Sequence, residues 1–521
     1  MQYVMIFHAN LNYAYLTPDR YEFVIRKSYE MTFDTMTGMF PDVKFVFEAS
    51  GYTIEEIAKR CPDVLAKIKR ACATGQCEFM GSPHAHPMLP NFPEEDGVWS
   101  IRFANETYKK YLGFVPKSFW NPECGWRSYV PDQAAACGYK NMIGDFEAYS
   151  RSLGPDGKPV RPEIYAKEKP RKSAFYHFGF AYDLPGTEAT LHHPFNKIGG
   201  LPENKLRMML RSDRIAQFGV RYFMGMEGYT LQKYLGLIKK YSAQPKAESE
   251  GALIIFADDA EYVGTNGWFR LKYENKPDNT FEHTPESQRK LIDLVRACKK
   301  MGSFCTFDEA CQKPALDETV HFDDNSAWHG GRASTWAETP MARLLRPWQE
   351  LVRNKLIKSK LSAEDTRQAW LYLTNSYNSD GQWPPTLPTA PHIIHPFNYS
   401  YCFENLLKAE LLVGGVDRSQ LISDPVVTMK EILTLQQNLI LKKARYLRQK
   451  GNIAQKKAAV AAETLIRRSR DVTSIKSADK VLQPAEYTVR AEMMIEARRL
   501  IGGVEIEVTE DMRAGKGKTK K

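Results

Sequence analysis

Short runs of apolar β formers alternate with longer amphipathic stretches from residue 1 to about 310, the pattern of parallel βα units. Strands are predicted over residues 3–7, 43–47, 77–80, 118–120, 139–143, 206–210 and 253–256. Seven such runs favour a closed barrel over an open sheet. Helices are predicted between them over 18–36, 53–74, 99–112 and 130–137, the last with Pro131 near its start and Gly138 past its end. Residues 146–205 keep no period and are rich in Gly, Pro and Lys, so a long excursion over the barrel mouth is expected there.

After residues 303–307 the alternation stops, and 341–358, 364–377, 399–412 and 427–449 read as helices. The chain is therefore expected to hold a barrel over 1–310, a helical domain over 311–440 that completes a substrate cleft, and a helical extension over 441–521 ending in a disordered tail. The break at 376–385 between two helices presents Asp380 and Trp383. Ionisable residues follow the strands directly: His8, Glu48, the Ser82–His86 loop, Glu123, Asp145, Arg211 with Asp213, and Asp258 with Asp259. Packing alone does not require that pattern. In parallel β/α folds the C-terminal strand ends carry the chemistry.

Composition narrows the class. The net charge of +10 suggests nucleic acid until it is located, but Leu441 to Lys521 carries 20 Lys and Arg against 10 Asp and Glu, the whole excess. The basicity belongs to the extension, which leaves nucleic acid an unfavoured partner and a homo-oligomer an open one. Nine scattered cysteines, none in a Cys-x-x-Cys pair, argue against a disulfide framework and a zinc knuckle. No apolar run approaches about 18 residues, and the opening Gln2 to Phe7 run lacks a basic flank and cleavage site. No membrane partner and a cytoplasmic location are expected.

The stretch Ser118-Phe119-Trp120-Asn121-Pro122-Glu123-Cys124-Gly125-Trp126 delivers a carboxylate to a strand end between two tryptophans, whose flat rings suit the apolar face of a sugar. A solvated loop Glu beside core tryptophans is the bland alternative. A second stretch, Leu253 to Gly264, ends in Asp258, Asp259 and Glu261. Strand alternation sends Asp259 and Glu261 to one side and Asp258 to the other. Their mutual repulsion is expected to raise one of them into a proton donor. A Glu and an Asp at two strand ends supply what glycoside cleavage needs, one carboxylate to attack the anomeric carbon and the other to protonate the leaving oxygen.

At these residues the chain resembles glycoside hydrolase family 57. Five motifs carry the resemblance, in order: Phe7-His8-Ala9-Asn10-Leu11-Asn12-Tyr13; Gly75 to Glu78 through His86 to Pro90; Trp120 to Gly125; Asp258 to Glu261 through Gly264; and Asn375 to Trp383. It covers about residues 1–415. The resemblance implies a distorted (β/α)7 barrel followed by an all-helical domain, retention of configuration, α-glucan or malto-oligosaccharide substrates, and neither metal nor other cofactor. By motif it implies Glu123 as nucleophile and Asp259 as general acid/base. His8, Glu78, His86, Trp120, Glu261 and Trp268 resemble sugar-binding positions, with Trp328, Asp380 and Trp383 further out. Asn10 departs from the family pattern, which often has a second His there, and the last 80 or so residues match nothing in it. Amylase, 4-α-glucanotransferase and branching activities stay open. Two other classes compete: a metal-dependent carbohydrate deacetylase or mannosidase using Asp258, Asp259, His84 and His86, and a non-catalytic glucan-binding barrel.

Overall fold

The structure, a computed structural model, describes residues 1–13, 16, 18–154, 156–162, 189–199, 201, 205–242, 251–267, 281–328, 331–382 and 396–471, with 493, 494, 496, 497, 500 and 501. β1 (Gln2–Ala9) is apolar on both faces and buried along nearly all its length, as a strand covered on both sides must be. β2 (Phe45–Ala49), β3 (Cys77–Gly81), β4 (Ser118–Phe119), β5 (Asn141–Asp145), β6 (Phe195–Ile198), β7 (Arg207–Arg211), β8 (Ala252–Asp259), β9 (Ser303–Phe304) and β10 (Leu316–Val320) complete one sheet with it. The order is β10-β6-β7-β5-β4-β3-β2-β1-β8, with β9 pairing the start of β1. Every pairing is parallel except β6 with β7.

The seven expected strands are β1 to β5, β7 and β8. They curl into the distorted β/α barrel, which the backbone leaves open: among the described residues no ladder joins β7 to β8. A side chain spans that seam, with Arg211 Nε donating to Ala257 O at 2.9 Å. Alternation sorts the strand residues. Val4, Ile6, Val46, Met80, Ile143, Met209 and Ile254 fill the interior with Trp120 and Trp328. Phe7, Phe47, Phe79 and Phe256 take the other face, where Phe33 and Tyr108 from flanking helices meet Phe47 at 5.0 Å and Phe79 at 5.1 Å.

Three local expectations change. The helix over 18–36 is Pro18–Val24, a π-helical turn Ile25–Glu30, and Met31–Met39. The helix over 53–74 divides into Gly51–Arg60 and Pro62–Ala73, because Pro62 has no N–H to continue a ladder and starts a new helix instead. Within 146–205, Phe146–Arg151 is a helix and β6 extends the sheet between β7 and β10, so part of the expected excursion is edge strand. Residues 163–188 lie outside the described residues.

The chain divides into two compact units, the first holding Met1–Leu11, Asp19–Gly267 and Phe281–Ser334. β10 and Trp328 thus belong with the sheet. The second unit is helical, with Pro340–Lys358, Ala363–Asn375, Pro396–Leu412, Pro425–Lys450 and Ile453–Asp471. Thr339 and Ser362 cap the first two of these, each accepting a backbone N–H. Trp348 packs on Phe403 and donates to Glu410 at 2.6 Å. Among the described residues no helix is long and apolar enough to cross a membrane.

Candidate active site

The chain beyond β4 turns sharply. Trp120 N–H donates to Gly81 O at 2.7 Å, and then Pro122–Cys124 forms a 3-10 turn in which Glu123 has φ +57° and Cys124 φ +46°. Side chains that carry a Cβ rarely adopt that region, and such strain gathers where a structure over-determines a functional geometry. The turn buries Glu123, with Oε1 at 3.7 Å from His86 Nδ1, and His86 is left-handed too, at φ +52°. Gly125 is required by close approach: a Cβ there would lie 2.4 Å from Met88 Sδ and 3.2 Å from Pro90. The second and third motifs are thus fitted to each other.

His8 sits between neighbours set by register, for β1 pairs it with Glu48 on β2 and with Asp259 on β8. Its Nδ1 is hydrogen-bonded to Glu48 Oε2, and its Nε2 lies 3.9 Å from Asp259 Oδ1. The ring stacks on Trp120 at 4.7 Å and 9°, lies 5.0 Å from the ring of His86, and meets Trp328 edge-on at 6.4 Å. Burial, with a smaller contribution from the Arg211 charge, pushes His8 down to about 3 against the pull of Asp258. Burial and then His8 itself hold His86 well below its ordinary value. Both shifts favour the neutral imidazole. Trp120 is fully buried with one face covered by His8, so it serves as a platform for that ring, and a sugar has no access to the covered face.

Of the three acids at the end of β8, Asp258 and Asp259 close the strand and Glu261 follows it, and each has a separate partner. Asp258 accepts from Arg211 Nη2 at 3.3 Å and from Gln217 Nε2 at 2.9 Å. Asp259 faces His8. Glu261 stands in the 3-10 turn Ala260–Tyr262, where Oε1 accepts from Asn10 N–H at 2.9 Å and from Tyr29 O–H. Glu261 is pushed up to about 8, and the cause is burial, opposed by those two hydrogen bonds, where mutual repulsion was expected. The π-helical turn brings Tyr29 to this place and lets Ser28 Oγ donate to Ala260 O at 2.6 Å. Gly264, at φ +116°, passes so close that a Cβ would lie 2.0 Å from Lys27 O, which explains the glycine that closes the fourth motif.

Arg211 organises the seam. Its guanidinium meets Asp145 at 3.1 Å, Asp213 at 2.5 Å and Asp258 at 3.3 Å, and lies 5.3 Å over the Trp328 ring. Burial works against its charge, but Asp213 and the other anions outweigh it and raise its pKa. Asp145, Glu147 and Asp213 bring oxygens within 4.8 Å of one another. Arg211 supplies cationic charge to the first and last, while Ser212 Oγ and the Asp213 N–H hold Glu147. The ligand set of the deacetylase-like reading does not converge: His84 Nε2 lies 3.5 Å from Glu55, and Asp258 is engaged by Arg211.

His8, His86, Trp120, Glu123, Asp259 and Trp328 therefore meet at the C-terminal strand ends, with Glu261 in the turn just after β8. Glu78 does not join them. It lies near the start of β3, bonded by Ser118 Oγ at 2.5 Å and by Asp308 N–H at 2.7 Å, which ties β3 to β4 and to the helix Phe307–Cys311. Contact with sugar at the mouth was expected of Glu78; the structure places it between strands. Asp380 is buried in the second unit, in the turn Asp380–Gln382. Trp268 and Trp383 lie outside the described residues. Glu48, Asp145, Arg211 and Asp213 are site neighbours whose only sequence signal is a place directly after a strand, and Tyr29 has none.

A curled parallel sheet with paired buried acids and imidazoles at its strand ends defines a β/α-barrel protein with a carboxylate-rich mouth. The chain belongs to glycosyl hydrolase family 57, whose sequence model matches residues 3–313. It is 28% identical over 299 residues to an Alpha-amylase 1 of Dictyoglomus thermophilum, a match covering 54% of this chain and 41% of that protein. It is 25% identical over 146 residues to a 4-alpha-glucanotransferase of Thermococcus kodakarensis, covering 28% and 21%. The chain thus spans about two fifths or less of the length of these relatives. Among solved structures, the 4-alpha-glucanotransferase of Thermococcus litoralis superposes with a TM-score of 0.55 at 16% identity, over 78% of this chain and 59% of that one. The GH57-type branching enzyme of Pyrococcus horikoshii does so with 0.54 at 12%, over 98% of each. At such identities the structures speak for the fold alone.

Proposed function

We propose that the protein cleaves or transfers α-1,4-glucosidic bonds by a retaining, two-carboxylate mechanism. Glu123 attacks C1 to form a β-glycosyl-enzyme while Asp259 protonates the departing oxygen. Asp259 then takes a proton from water or from the hydroxyl of a second glucan, which releases an α product. Water as acceptor makes an amylase; a glucan makes a 4-α-glucanotransferase or, through a 6-hydroxyl, a branching enzyme. The names of the relatives support the α-glucan class.

One observation carries the reading. Glu123 Oε1 approaches His86 to 3.7 Å and Asp259 Oδ1 approaches His8 to 3.9 Å, with the two rings 5.0 Å apart. Two acids thus flank a pair of imidazoles whose burial disfavours their charged forms. The test is incubation with maltoheptaose beside Glu123→Gln, with products resolved by length and linkage. A ladder longer than the substrate identifies transfer, short sugars hydrolysis, and new α-1,6 bonds branching. No turnover of any α-glucan by the wild type overturns the reading.

A further inference from the structure

We propose that Glu48 is a positioning residue for this reaction: its carboxyl donates a hydrogen bond to His8 Nδ1 and thereby commits His8 to presenting Nε2–H to Asp259. The inference rests on the assignment of Asp259 as general acid/base.

Glu48 is fully buried near the end of β2, and the β1–β2 register sets it beside His8. The His8 ring cannot turn freely, because Trp120 lies parallel to it at 4.7 Å. Its two nitrogens therefore have separate partners, Nδ1 at Glu48 and Nε2 toward Asp259. A buried carboxylate without a cation is strongly disfavoured, and the ion pairs of Arg211 go to Asp145, Asp213 and Asp258. Glu48 consequently keeps its proton, in line with the upward push of burial on its carboxyl. A neutral imidazole carries one N–H. With Nδ1 accepting from Glu48, that N–H is at Nε2.

The consequence falls on the first chemical step. The proton of Asp259 passes to the glycosidic oxygen, the C1–O electron pair leaves with that oxygen, and Glu123 forms the new bond to C1. The charge that appears on Asp259 then faces Nε2–H, and the 3.9 Å separation shortens to a hydrogen bond. Glu48 neither gains nor loses a proton over the cycle. Its role differs from that of a carboxylate accepting from Nδ1–H, which would leave a lone pair on Nε2 facing Asp259.

Two variants separate these cases. In Glu48→Gln the amide N–H still donates to Nδ1; in Glu48→Leu nothing does. The readouts are kcat/KM on maltoheptaose, kcat/KM on α-maltosyl fluoride, whose fluoride leaves with little need of a proton, and 15N–1H spectra of histidine-labelled full-length protein, with His8→Gln identifying the His8 signals. Glu48→Leu is expected to lose about 10- to 100-fold on maltoheptaose and less than about threefold on the fluoride. Glu48→Gln should stay within about threefold on both. The wild-type spectrum should show His8 protonated at Nε2 and bare at Nδ1, a signature that Glu48→Gln keeps and Glu48→Leu loses. A wild-type Nδ1–H, a Glu48→Gln that falls as far as Glu48→Leu, or equal losses on both substrates would overturn the proposal. If the wild type turns over neither substrate, the reaction and with it any part for Glu48 fall, while the spectra separately decide the hydrogen bond. Should Glu48→Leu fail to fold, Glu48→Gln and the wild-type spectrum still decide.

Discussion

Arg211 Nη2 on β7 lies 3.3 Å from Asp258 Oδ2 on β8, across the seam where the described backbone carries no ladder. The same guanidinium holds Asp145 and Asp213, so Arg211→Met would leave three buried acids without their cation. Such a loss is expected to destabilise the barrel by about 3 to 5 kcal/mol. Urea unfolding checks it, with Arg211→Lys falling between the wild type and Arg211→Met.

Glu261 gives a pH dependence with a definite sign. Its folded pKa of about 8 lies above the ordinary value of 4.5, so the native state binds the extra proton between those limits. Stability from this group is fully present below the lower value and is lost as pH rises through the upper one. Glu261→Gln removes that slope. Its unfolding free energy should gain on the wild type as pH rises from 5 to 8.5, by up to a few kcal/mol, because each pH unit between the two pKa values is worth about 1.4 kcal/mol.

Gly264 is expected to tolerate no side chain. At φ +116° and with a Cβ position 2.0 Å from Lys27 O, Gly264→Ala must displace either its own loop or the π-helical turn that carries Tyr29. A loss of at least about 1 to 3 kcal/mol is predicted, read as a lower melting temperature.

Trp120→Phe keeps an aromatic platform under His8, whereas Trp120→Ala opens a cavity beneath it. The second is expected to lower stability by about 3 to 5 kcal/mol, and the first by much less. If Trp120 stacked primarily on sugar, KM would rise in both variants before stability fell.

The strands were legible because a buried parallel strand needs a continuous apolar run, and each such run here ends in, or is soon followed by, an ionisable residue. The positions of Glu123 and Asp259 were legible for the same reason. What periodicity does not encode is partner choice. Nothing in Asp258-Asp259-Ala260-Glu261 says that the first acid meets Arg211, the second His8 and the third Asn10 and Tyr29, since those contacts join residues up to 251 positions apart. The π-helical turn was hidden because its sequence is compatible with an ordinary helix, and only contact with the turn after β8 gives it a purpose. Glu78 shows the converse: its motif is present, yet its place near the start of β3 sets it between strands.

Trapping the covalent intermediate tests Glu123 as nucleophile directly. The protein is incubated with a 5-fluoro malto-oligosaccharyl fluoride, digested, and its peptides are weighed. One glycosyl adduct is predicted, on the peptide containing Glu123, absent from Glu123→Gln. An adduct on any other acid, or turnover of that substrate to a product of inverted configuration, would contradict it.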